Sequence, residues 1–193
     1  DWSSDVCSSD LVPVGQQVYQ KSANALKRVQ VMAGAKNHLV VMPDANKEQA
    51  LDALVGSSLG AAGQRCMAVS VAVMVGEASA WLPDLAKAMG NVRPGAWNDE
   101  TAGYGPQISQ AAMERIKSYI SKGKAEGARC LLDGSECEVD GLPDGNWVGP
   151  TLFADVTRDM SIYRDEIFGP VLAAVSVASL DEAIELKIGR AHV

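Results

Sequence analysis

The feature that most constrains this chain is a series of short apolar runs, each separated from the next by a stretch with helical spacing. His38-Leu39-Val40-Val41-Met42 is continuous and apolar, as a strand buried on both faces of a sheet is. Met67, Val69, Val71, Val73 and Val75 alternate with smaller residues and predict a core strand. Cys130-Leu131-Leu132, Leu152 to Val156 and Val171 to Val177 read as further strands. Between them, Asn46 is placed to cap a helix with Gln49 three residues on, and Leu51, Leu54, Val55 and Leu59 fall on one stripe before Gly60 and Gly63 end it. Helices are also expected over Gln16 to Val29, over Pro83 to Met89 and from Ser179 or Asp181 onward. Another is expected from Pro106, at a first helical position, through Ile108, Ile116 and Ile120 to Gly123. The Gly-, Asp- and Pro-rich stretch from Asp133 to Pro150 reads as a surface hairpin. Strands joined through helices give an α/β fold class with a largely parallel sheet.

The two ends follow a different logic. Asp1 to Leu11 has no apolar period, no signal-peptide core and no Arg-rich amphipathic character. Its reverse translation is similar to a common short-read sequencing adapter, and Ile188 to Val193 matches the opposite adapter strand. Residues 1–11 and 188–193 are therefore expected to be adapter-derived, and residues 12–187 to be the protein's own, an internal piece truncated at both ends. The 193 residues with 47% hydrophobic content suffice for one sizeable core. A net charge of −7, without a Lys/Arg-rich run, argues against nucleic acid as a partner. No apolar stretch reaches the ~18 residues of a membrane span. With the ends set aside, Cys66, Cys130 and Cys137 remain, without C-x-x-C spacing, and His38 is the one histidine. That points to a reducing, cytoplasmic location and away from a disulfide framework, a metal site or a histidine-based triad.

Cys66 stands in Gly63-Gln64-Arg65-Cys66-Met67-Ala68, at a helix-to-strand junction among small residues, with a fixed cation beside it. A cysteine attacks a carbonyl as thiolate and needs exposure and positive potential, which this setting offers. Arg65 suits a substrate carboxylate, which guanidinium binds in a bidentate way. Glu166-Ile167-Phe168-Gly169-Pro170 sets a carboxylate and an aromatic ring on a Gly-Pro corner, and a carboxylate accepts two hydrogen bonds from a diol. Cys130, in an apolar strand, and Cys137, in a turn, read as structural. So does His38 at its strand start. No G-x-G-x-x-G or G-x-x-x-x-G-K-[ST] occurs.

The Cys66 and Glu166 strings together resemble the aldehyde dehydrogenase superfamily. Gly34-Ala35-Lys36-Asn37-His38 and Met42-Pro43-Asp44-Ala45 make the chain similar to its coenzyme A-acylating methylmalonate-semialdehyde dehydrogenase branch. The resemblance implies a catalytic α/β domain with Cys66 as nucleophile, and NAD as cofactor. Glu166 would lie on the nicotinamide ribose, Phe168 beside the nicotinamide, and the Ala33 carbonyl on its carboxamide. Counting back from Met42-Pro43-Asp44-Ala45, Met32 falls where hydrolytic relatives carry a water-activating glutamate. Methionine is no general base, so a Cys66 thioester would await coenzyme A as co-substrate. The implied reaction is oxidation of methylmalonate or malonate semialdehyde, a small-molecule aldehyde. The implied partners are an N-terminal cofactor domain of the same chain and further copies in a homo-oligomer; without that domain the 193 residues are expected to be inactive. Two rivals stay open: a hydrolytic NAD(P)-dependent aldehyde dehydrogenase, and a non-catalytic interaction domain that keeps the fold.

Overall fold

The computed structural model describes residues 6–9 and 12–187. The adapter expectation for residues 188–193, and for residues 1–5, 10 and 11, lies outside them. The chain divides into two compact units, one ending at Ala35 and one beginning at Lys36.

In the first unit, β1 (Val6–Ser9) pairs in parallel with β2 (Gln30–Ala33), and α1 (Val12–Asn24) connects them. Gly15 lets α1 sit directly on β2, since a Cβ there would lie 2.7 Å from Val31 Cγ1 and 2.8 Å from the Ala33 methyl. The helix expected from Gln16 to Val29 is displaced toward the N-terminus and ends five residues early. Lys27 N–H donates to Ser22 O and Leu26 N–H to Ala23 O, with Leu26 left-handed at φ 56°. That closing motif usually takes glycine. Here leucine occupies the position, so the residue types do not announce the stop.

The second unit is a five-stranded sheet in the order β3-β4-β7-β6-β5. Its strands are β3 (Asn37–Val41), β4 (Val69–Val75), β5 (Arg129–Leu132), β6 (Thr151–Ala154) and β7 (Val171–Val177). β3, β4, β7 and β6 run parallel, and β5 joins β6 antiparallel. The largely parallel sheet expected from the alternation is therefore present. Its two faces carry separate cores. Val71, Val73 and Val75 face Ile116 and Ile120 of α4 (Gln110–Ala125), Ile162 and Tyr163 of α5 (Ser161–Arg164), and Ala183 and Leu186 of α6 (Leu180–Lys187). Ala72 and Met74, pointing the other way, face Leu51, Leu54 and Leu59 of α2 (Lys47–Leu59) and Leu82, Leu85 and Met89 of α3 (Leu82–Gly90). Helices on both faces explain why β4 reads as apolar at every position from Val71 to Val75 rather than at every second one.

The caps show how local chemistry sets the boundaries. Asn46 accepts from Gln49 N–H at 3.1 Å, as its position predicts, and Ser179 rather than Asp181 caps α6 by accepting from Glu182 N–H. α4 does not start at Pro106. Ser109 caps it by accepting from Ala112 N–H at 3.2 Å, and Gln110 is the first helical residue. The peptides before it are committed elsewhere: Gln107 N–H to Asn146 O, and Ile108 N–H to Gln64 Oε1. Ile108, read as part of the stripe, is 85% exposed. Met67 is likewise outside its expected strand, which begins at Val69. Residues 133–150 contain no strand; they form the long connection of the antiparallel β5–β6 pair, closed where Gly149 N–H donates to Gly134 O at 2.9 Å. Part of this stretch is not surface, because Trp147 and Val148 are buried and Tyr104 donates its hydroxyl to Val148 O at 3.0 Å.

Parallel strands in register begin at one edge of a sheet. Asn37 pairs with Val69, Val71 with Ala173 and Thr151 with Val171, so the segments leading into β3, β4 and β7 emerge together. They hold Lys36, Cys66 and Glu166, respectively. Two of these segments touch backbone to backbone. Gly63 has φ 69°, and a Cβ there would lie 2.1 Å from Gly169 O. Gly63→Ala should therefore lower unfolding free energy by about 3 kcal/mol, from a strained φ plus a backbone clash that no rotamer relieves. Gly105, with open space around it and no positive φ, serves as reference; Gly105→Ala should stay within about 0.5 kcal/mol. Urea denaturation midpoints of the two variants measure the contrast.

Candidate active site

Cys66 is the second residue of a tight turn. Ala68 N–H donates to Arg65 O at 3.1 Å, closing Arg65-Cys66-Met67-Ala68 between the end of α2 and the start of β4. The cysteine is exposed, as a nucleophile for an incoming carbonyl must be. The approach to the turn is unusual backbone. After α2, Ala61 (φ 51°), Ala62 (φ 56°) and Gly63 (φ 69°) are successively left-handed. Each non-glycine residue in that region costs roughly 1–2 kcal/mol. Polar side chains hold the segment there. Gln64 donates to Ala61 O and Pro106 O, each at 3.3 Å, and buried Gln107 donates to Ala62 O at 3.4 Å.

The Glu166 loop is fixed in the same manner. Phe168 is left-handed (φ 57°), and Val171 N–H donates to Gly169 O at 2.8 Å. Lys36 donates to Asp165 O at 2.7 Å, and Arg115, from α4, donates to Glu166 O at 3.1 Å and to Ile167 O. Tyr119 donates its hydroxyl to the Asp165 carboxylate at 3.2 Å; partial burial, and then that carboxylate, raise the phenol above its ordinary range. Three consecutive carbonyls are thus held by cations, a stronger restraint than neutral hydrogen bonds give. Glu166 and Phe168 are both half-buried. Of the five non-glycine residues with positive φ among the described residues, Ala61, Ala62 and Phe168 lie in these two loops. Strain of this kind gathers where function over-determines the backbone.

The remaining residues singled out from sequence fall as follows. Arg65 is exposed, with its guanidinium against Gly60 at the C-terminal end of α2; a Cβ on Gly60 would lie 2.7 Å from an Arg65 Nη. Ala33 and Met32 sit on β2 of the first unit, half-buried and exposed, respectively. His38 places Nδ1 2.7 Å from Lys36 O and Nε2 3.1 Å from the Tyr163 hydroxyl, a structural setting. Burial, with Asp133, pushes the Cys130 thiol up; burial likewise pushes Cys137 up, so neither favours thiolate. No group of three His, Cys, Asp or Glu residues among the described residues could hold a metal ion, and no helix there is long and apolar enough to cross a membrane.

Sequence reasoning missed Arg115 as a holder of the Glu166 loop, and Asn37. The Asn37 amide donates to Cys66 O at 2.7 Å and to Ala68 O at 3.0 Å, gripping both sides of the Cys66 turn. The available signal was an asparagine at a strand start beside a lysine, too common a pair to single out.

Comparison with known proteins bears on the whole arrangement. The curated methylmalonate-semialdehyde/malonate-semialdehyde dehydrogenase [acylating], mitochondrial, of Homo sapiens is 49% identical over 172 residues, 89% of this chain and 32% of that protein. The chain thus spans about a third of the length of the curated relatives it matches. Among solved structures, a methylmalonate-semialdehyde dehydrogenase from Oceanimonas doudoroffii superposes with a TM-score of 0.88 at 36% identity, covering 96% of this chain and 39% of that one. A provisionally named methylmalonate-semialdehyde dehydrogenase from Sinorhizobium meliloti, complexed with NAD, superposes at 0.89 and 42% identity, covering 96% and 38%. A model of the aldehyde dehydrogenase family matches residues 11–187, which take in the exposed cysteine, its strained approach and the pinned glutamate loop. The chain belongs to the aldehyde dehydrogenase family.

Proposed function

We propose that this chain supplies the nucleophile-bearing part of a coenzyme A-acylating, NAD-dependent dehydrogenase of methylmalonate or malonate semialdehyde. The observation that carries the reading is Cys66 on an exposed, clamped turn whose approach packs directly on the Glu166 loop. The half-buried carboxylate and ring, two residues apart on a loop held by Lys36 and Arg115, suit a ribose diol and a flat aromatic amide. Glu166 and Phe168 would hold that end of NAD. When bound, NAD supplies the hydride acceptor.

The chain's own residues prepare the carbonyl. The Cys66 thiolate adds to the aldehyde carbon, and the backbone N–H of Cys66 faces the oxygen that gains charge, together with an asparagine contributed by the rest of the protein. Once oxidised, the acyl group stays on Cys66 as a thioester. Met32 offers no carboxylate to activate water, so the thioester passes to the coenzyme A thiol, with loss of carbon dioxide from the carboxylated substrate. Arg65 has no ion pair among the described residues, and its guanidinium would meet the substrate carboxylate. The dehydrogenase would act as a homo-oligomer, with further chain providing most of the cofactor contacts.

Three outcomes test this. In a protein extended to the length of its relatives, omitting coenzyme A should slow steady turnover by at least about tenfold, and Cys66→Ser should abolish thioester formation; equal turnover with water alone would favour a hydrolytic enzyme. In the same protein, Arg65→Ala should raise KM about tenfold for the carboxylated semialdehyde and less than about twofold for propanal, since only the former loses a charge-assisted contact. The 193 residues alone, mixed with NAD, coenzyme A and semialdehyde, should give no sustained rise in reduced-cofactor absorbance, because near-attack geometry depends on a held cofactor. Turnover that vanishes in Cys66→Ser would overturn that dependence.

A further inference from the structure

We infer that Asn37 is a positioning residue for acyl transfer, its side-chain amide setting the Cys66–Met67 peptide plane so that the Met67 N–H joins that of Cys66 toward the developing oxyanion; this rests on the acyl-transfer reading above. The turn has three peptide groups whose orientation matters. The Arg65–Cys66 peptide is held by Ala68 N–H on Arg65 O at 3.1 Å. The next peptide and the one leading into β4 are held by a single group, Asn37 Nδ2, at 2.7 Å from Cys66 O and 3.0 Å from Ala68 O. These peptides are trans, so each N–H points opposite its carbonyl. With all three carbonyls committed, the N–H groups of Cys66 and Met67 are turned away from them, and no acceptor is paired with either among the described residues.

Asn37 is well placed to be rigid. It is the first residue of β3, paired with Val69 at the start of β4, and the Lys36 beside it donates to Asp165 O. One dipeptide therefore grips the nucleophile's turn with one side chain and the Glu166 loop with the other. A side-chain amide has two donor hydrogens, which is what two carbonyls require; a carboxylate of the same shape has none and would repel both.

Two reactions at one sulfur, in a protein extended to the length of its relatives, test the assignment without NAD or coenzyme A. In acylation by p-nitrophenyl propionate, Cys66 sulfur bonds to the ester carbon, the tetrahedral oxyanion collapses with loss of p-nitrophenolate, and the thiol proton goes to solvent. In alkylation by iodoacetamide, sulfur displaces iodide and no oxyanion forms. Asn37→Ala and the isosteric Asn37→Asp should each slow acylation of Cys66 about tenfold while changing its alkylation less than about twofold, the scale of a misaimed oxyanion donor. Cys130 and Cys137, followed by peptide mass spectrometry, report whether a variant has loosened, and Asn37→Asp keeps the test open if Asn37→Ala does not fold. Equal slowing of both reactions would make Asn37 merely structural, and no slowing of either would remove it from the site. Failure of the parent chain to be acylated while Cys66 alkylates would also overturn the inference. Failure of the semialdehyde reaction alone, with acylation intact and sensitive to Asn37, would overturn the proposed substrate and leave this assignment standing.

Discussion

The site depends on one close approach, that of Gly63 to Gly169. No side chain lies between the two backbones, and a single added carbon at Gly63 would overlap the Gly169 carbonyl. The contact obliges the segment after α2 to run left-handed through Ala61 and Ala62, and it seats the Glu166 loop against that segment. Both candidate residues hang from this joint: Cys66 three residues beyond one glycine, Glu166 three residues before the other. The parallel register does the rest, since strands that start level deliver their leading loops to the same edge.

Polar groups keep this strained backbone in place. Gln64, Gln107, Asn37, Lys36 and Arg115 all donate from side chain to main-chain carbonyls around the two loops. Hydrogen bonds from charged donors contribute more than neutral ones, roughly 1.5–3 kcal/mol each. That scale matches the conformational cost of left-handed residues at Ala61, Ala62 and Phe168. The site is therefore stiff because many modest bonds act on few residues, not because it is buried.

This division of labour explains what could be read from sequence. The strands and α2 were legible because burial on two faces leaves unbroken apolar runs such as Val71 to Val75, and because Asn46 has an unambiguous capping geometry. Cys66 and Glu166 were legible as motifs. The start of α4 was not, because Pro106 and Ser109 are both good helix openers and the choice was made by tertiary bonds at Gln107 and Ile108. The end of α1 was hidden by leucine in a position that favours glycine. Asn37 and Arg115 were hidden for another reason: a side chain that grips a backbone carbonyl far along the chain leaves no periodicity to detect.

The placement of the site at the entering ends of β3, β4 and β7 reverses the usual arrangement of open α/β sheets, in which ligands gather beyond the strands' carboxyl ends. Helices connecting parallel strands bring their C-termini to the entering edge, as α2 does just before Cys66 and α5 just before Glu166. That edge carries the carbonyl, partly negative poles of the helices rather than the N–H poles that cradle phosphate. Positive character there has to be imported by side chains, which accounts for Arg65 lying across the end of α2 and Lys36 and Arg115 converging on the Glu166 loop. It follows that, among the described residues, no helix N-terminus meets a polyanion at this edge. A compound built to occupy it would gain most from a flat, donor-rich head, with any phosphate carried on a tether long enough to reach another part of the protein.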